Sequence, residues 1–97
     1  MPSERLYIVT YDIADRKRWR KVFATMEGFG RWLQLSVFQC RLSARRRGEL
    51  SARLSDIIRK DEDHVLIIDV GPAGNIEPHV ESLGRSYSAL ERKAIVI

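Results

Sequence analysis

The sequence predicts an α+β sandwich of the βαββαβ pattern, and three observations carry that prediction. Two amphipathic helical stretches, each opening on a capping residue, alternate with apolar runs of strand length. The apolar run between them is long enough to hold two short strands. The whole chain is 97 residues, room for one domain and one core. Two helices of this length cover one face of an antiparallel sheet, the ferredoxin-like arrangement.

The elements follow in order. Leu6-Tyr7-Ile8-Val9-Thr10-Tyr11 is rich in β-branched and aromatic residues, as a short buried strand is, and Asp12 follows it directly. Asp15 can cap a helix whose apolar stripe is Trp19, Val22, Phe23 and Met26. Gly28 and Gly30 end that helix. From Trp32 to Leu42 the chain reads either as one strand or as two short strands with a sharp bend. Ser43 is a second N-cap, and Leu50, Leu54, Ile57 and Ile58 are the apolar face of a second helix. A charged break, Lys60-Asp61-Glu62-Asp63, precedes the strand His64-Val65-Leu66-Ile67-Ile68-Asp69-Val70, which Gly71-Pro72-Ala73-Gly74 stops. Residues 75–93 are polar and match no single element, and Ala94-Ile95-Val96-Ile97 is a final short strand. A strand left over from a complete small sheet needs an edge. In a homodimer it can add to the partner's sheet, which also protects that edge.

Composition narrows the class of protein. Hydrophobic residues are 44% and charged residues 31%, the balance of a soluble globular chain rather than a disordered one. The formal charge of +4 favours polyanionic partners. Cys40 is the only cysteine, which excludes an intrachain disulfide and a cysteine-built zinc site and fits a reducing, cytoplasmic setting. No apolar run is long enough to span a membrane, and no membrane role is expected.

Asp12 is the first candidate for chemistry, because it stands at the carboxyl end of an apolar strand. Two readings stand side by side. It terminates the strand or caps the helix, or it is a ligand of Mg2+ or Mn2+, since hard cations take oxygen ligands. One carboxylate is a poor metal site, and a two-fold axis pairing two copies of Asp12 would improve it. Asp15 reads as the N-cap and Asp69 as a weaker candidate of the Asp12 kind.

The basic residues Arg16, Lys17, Arg18, Arg20 and Lys21 fall on the first helix, and Arg45, Arg46, Arg47 and Arg53 on the second. They are either solvated helix faces or one continuous phosphate-binding surface, with backbone or shape recognition and steep salt dependence. His64 and His79 lack metal-ligand spacing to a second histidine, nothing orients a Ser36–histidine pair, and Cys40 reads as a small core residue.

Three segments resemble the CRISPR-associated protein 2 family: Tyr7-Ile8-Val9-Thr10-Tyr11-Asp12-Ile13, the basic helix starting at Asp15, and Gln34-Leu35-Ser36-Val37-Phe38-Gln39-Cys40 after the Gly28–Gly30 break. The resemblance implies a ferredoxin-like protomer and a homodimer that exchanges a strand near the C-terminus. It implies partnership with the CRISPR integrase in spacer acquisition, on duplex DNA. Some members are metal-dependent endonucleases on single-stranded RNA or double-stranded DNA. In those, the aspartate matching Asp12 binds magnesium across the dimer, with the residues matching Ser36 and Phe38 near that interface. The chain departs from the family pattern at Trp32, where many members carry an arginine; Arg31 stands one place earlier as a shifted phosphate contact. Trp19 interrupts the basic run, and Gln39 replaces a common acidic residue. Three functions remain: a magnesium-dependent endonuclease, a non-catalytic DNA-binding scaffold dimer, and a toxin-type ribonuclease of the same fold.

Overall fold

In the computed structural model, which describes residues 3–84, β1 (Arg5–Asp12) is the central strand. It is followed by α1 (Arg16–Glu27), β2 (Arg31–Gln34), β3 (Val37–Leu42), α2 (Ala44–Ile57) and β4 (His64–Pro72). The four strands form one antiparallel sheet in the order β2-β3-β1-β4, and both helices lie on one face of it. The ferredoxin-like expectation is met. The expected final strand over residues 94–97 lies outside the described residues.

Strand alternation decides what each face of the sheet carries. Tyr7, Val9 and Tyr11 of β1 pack into the core with Phe38, Cys40 and Leu42 of β3, and Val65 and Ile67 of β4 pack against it. Val22 and Met26 of α1 and Leu50 and Leu54 of α2 close that core from above. Phe38 is fully buried, touching the rings of Tyr11 and Phe23 at 6.4 and 5.5 Å between centroids. Burying one such side chain contributes roughly 1.5–3 kcal/mol. The other face, opposite the helices, carries Ile8, Thr10 and Asp12 of β1 and His64, Leu66, Ile68 and Val70 of β4.

Both caps form as read. Asp15 accepts from the Arg18 backbone N–H at 2.9 Å, and Ser43 accepts from that of Arg46 at 3.2 Å. The middle run is two strands: Leu35 and Ser36 turn the chain, Leu35 at φ +32°, and the Trp32 indole donates to the Leu35 carbonyl at 2.9 Å. Gly30 is required by a close crossing, since a Cβ there would lie 2.4 Å from Cys40 Sγ and 2.6 Å from the Gln39 carbonyl oxygen.

Two boundaries move. Asp12 is the last paired residue of β1 rather than the first residue beyond it, because it pairs with His64. β4 runs past Val70 through Pro72. The pairing jumps from Tyr7↔Asp69 to Leu6↔Gly71, so Val70 is a bulge, and Gly71 at φ +130° carries the strand on.

Candidate functional site

Asp12 projects from the end of β1 on the face away from the helices, and its side chain is exposed. That side chain has no hydrogen bond or ion pair among the described residues, so its oxygens remain open to a ligand. Directly across the β1–β4 ladder stands His64, also exposed and on the same face. Next to this pair the β2–β3 turn closes in, where the Tyr11 backbone N–H donates to the Ser36 carbonyl at 3.2 Å.

The loop after Asp12 is held by Asp63, whose side chain is fully buried. Its Oδ1 accepts the Ala14 backbone N–H at 2.9 Å and Arg18 Nη2 at 3.2 Å. Its Oδ2 accepts the Arg59 backbone N–H at 2.8 Å and Arg18 Nε at 2.7 Å. Arg18 reaches Glu62 as well, at 2.8 Å. A buried carboxylate is tolerated when it is paired and fully hydrogen-bonded. Arg18 above all, then the two backbone N–H groups, hold its carboxyl well below the usual carboxylate range against the effect of burial. One side chain thus ties the start of β4 to the loop that leaves Asp12.

Ser36 and Phe38 support this end of the sheet from the helical side. Ser36 Oγ accepts the Trp19 indole N–H at 2.9 Å, and Phe38 lies sealed beneath Tyr11. Burial pushes the Tyr11 hydroxyl far up, and that hydroxyl has no hydrogen-bond partner among the described residues. Asp69 has a structural partner: Arg5 Nε donates to both its oxygens at 3.0 and 2.9 Å. That pair borders a cavity of about 430 Å³ with Tyr7 and Arg47, at the far end of β1 from Asp12.

The basic residues are spread over both helices of the layer. Arg46 at the start of α2 donates to the Gly28 carbonyl just past the end of α1, at 3.2 Å, so the helices run antiparallel. Arg16, Lys17, Arg20 and Lys21 therefore lie toward one end of the helical layer and Arg45, Arg46 and Arg47 at the other. With α1 at 12 residues, the two starts are separated by about 18 Å. Arg46 is further engaged by Glu49 at 2.8 Å and by the Phe29 ring at 4.1 Å, and Arg18 turns inward to Asp63. Arg31 opens β2 opposite Gln39, which places it on the Asp12 side of the sheet.

The CRISPR associated protein Cas2 family matches residues 5–74, a span that contains all four strands and both helices. The chain belongs to that family. A CRISPR-associated endoribonuclease Cas2 of Rhodospirillum rubrum is 53% identical over 95 residues, covering 98% of this chain and 93% of that one. One of Geobacter sulfurreducens is 51% identical over 94 residues, covering 97% and 99%. Among solved structures, a hypothetical protein of Thermus thermophilus superposes with a TM-score of 0.72 at 33% identity, over 88% of this chain and 99% of that one. Streptococcus pyogenes Cas2 does so with 0.65 at 27% identity, over 81% and 99%. A Cas2 role and the Cas2 fold follow from these likenesses, and no helix among the described residues is long and apolar enough to cross a membrane.

Asp12 offers the hard oxygen donors a Mg2+ ion takes, exposed and unpartnered. Among the described residues no three His, Cys, Asp or Glu side chains gather to hold a metal. In the sequence Asp63 is part of a charged break, and His64 is a weak candidate because it lacks a second histidine at ligand spacing. Their place beside Asp12 depends on strand register, which no local pattern announces.

Proposed function

We propose that the chain is a Cas2 homodimer that binds nucleic acid and cleaves phosphodiesters with Mg2+ or Mn2+ held between two copies of Asp12. The observation that carries this reading is the placement of Asp12, an open carboxylate at the rim of an apolar strip that nothing among the described residues covers. Leu66, Ile68 and Val70 on that face are 46, 45 and 57% exposed, a patch that a second copy would cover. Asp63 holds the Asp12 loop in place, so that little reordering is needed when a ligand arrives. A cation bound there supplies Lewis-acid polarisation of a phosphate and a more acidic bound water. Arg31, on the same side of the sheet, is positioned to meet a phosphate. The test is cleavage of single-stranded RNA and duplex DNA in Mg2+ or EDTA, by wild type and by Asp12→Ala shown to be dimeric. Cleavage lost in EDTA and in the variant supports the reading; equal cleavage by the variant refutes it.

A second reading is favoured by the charge distribution. Two basic clusters about 18 Å apart, on a chain with one open carboxylate beside its sheet face, suit a scaffold that grips duplex DNA and docks the CRISPR integrase in spacer acquisition. Charge reversal at Arg16, Arg20 and Arg45 then abolishes duplex binding and integration while Asp12→Ala spares both. Normal integration by the reversed protein rules this reading out.

A further inference from the structure

The histidine opposite Asp12 changes the chemistry available at that end of the sheet. Asp12 and His64 are direct partners in the β1–β4 register. Tyr11 and Val65, the preceding pair, point into the core, so Asp12 and His64 emerge together on the other face. Cβ atoms of directly opposed residues in an antiparallel pair lie about 5 Å apart, a spacing that one ion can bridge. Neither side chain has a partner among the described residues. Both are exposed.

Their backbones are also fixed relative to each other. Asp63 immediately precedes His64 and holds the Ala14 N–H, two residues beyond Asp12, at 2.9 Å. Arg18 and the Arg59 N–H complete the hold on the same carboxylate. Ligand pairs held by a buried polar network are preorganised for binding.

We propose that Asp12 and His64 ligate one divalent cation together, and that the imidazole tunes the site toward Mn2+ over Mg2+. Mg2+ takes carboxylate and water oxygens and rarely nitrogen, whereas imidazole nitrogen suits the later divalent metals. The proposal rests on the reading above that Asp12 holds a cation shared by two chains. Two such pairs supply two oxygens and two nitrogens, which predicts one Mn2+ per two chains.

The test is binding, measured without a substrate. Mn2+ is titrated into the full-length wild type, Asp12→Asn, His64→Gln and His79→Gln, each checked for fold by circular dichroism. Binding is followed by the free-Mn2+ electron paramagnetic resonance signal, and the bound ion is examined for 14N electron spin echo modulation. Wild type and His79→Gln show imidazole nitrogen modulation; His64→Gln loses it and binds Mn2+ at least about tenfold more weakly, with Mg2+ binding little changed. Mn2+ that binds through Asp12 without nitrogen modulation, or modulation that persists in His64→Gln, overturns the inference and leaves the Asp12 reading standing. Wild type that binds no Mn2+ overturns both.

Discussion

Replacing Asp63 with Asn removes a charge but almost no volume, which makes it a clean probe of the clamp below the candidate site. Each Asp63 oxygen accepts one backbone N–H and one Arg18 N–H. An amide can present only one oxygen, so either Ala14 or Arg59 is left with its N–H facing an NH2 group. Leaving a buried donor unsatisfied costs about 1–3 kcal/mol, and breaking a buried ion pair about 3–5 kcal/mol. The pair is open at its Glu62 end, where that carboxylate is 45% exposed, so the lower end applies: about 3 kcal/mol in all. For a domain of this size that is a fall in Tm of roughly 15 °C. The pH dependence gives a second check. The carboxyl is held below its unfolded value, so its contribution is full above about pH 5 and fades as acid protonates the folded carboxylate. Urea unfolding of wild type and Asp63→Asn, at equal protein concentration from pH 7 to pH 2.5, should show a constant gap down to about pH 5 and a narrowing one below. A gap under about 1 kcal/mol at pH 7, or one that does not narrow in acid, would refute the assigned role.

Three further outcomes are expected. Gly30→Ala places a Cβ against Cys40 Sγ and the Gln39 backbone oxygen, and should lose about 2 kcal/mol or more in urea unfolding because the backbone cannot yield there. Leu35→Gly relieves a leucine at φ +32° whose side chain is 61% exposed, and should raise stability by about 1 kcal/mol in the same assay. The Cys40 thiol is fully buried and pushed up to about 11 by that burial. A maleimide at pH 7.5 should therefore label it only in denaturant, as read by intact mass.

Local patterns made most of the fold legible. Asp15 and Ser43 announce the helix starts, because a short polar side chain ahead of an apolar stripe has few other uses. The alternation of Tyr7, Val9 and Tyr11 marks the core side of β1. The turn at Leu35-Ser36 was open in the sequence because it lacks the Gly or Asn that usually supplies positive φ. At the site, Asp12 stood out by its position after an apolar run. Its partner His64 and its anchor Asp63 did not, since they open β4 and immediately precede it, about fifty residues on, and reach Asp12 through a register that is a tertiary property. The basic residues fall on the two helices as the pattern predicts, whereas how the helices run relative to each other depends on topology rather than on composition.

In the proposed dimer the apolar strip beside Asp12 closes against a second copy, and the site is complete only then. Ile68→Lys puts a charge in the middle of that strip and leaves Asp12 in place. Sedimentation equilibrium and Mg2+-dependent cleavage should be measured on wild type and this variant, with circular dichroism confirming the fold. A dimeric, cleaving wild type and a folded, monomeric, inactive variant is the result predicted. A folded monomer that cleaves at the wild-type rate would contradict it.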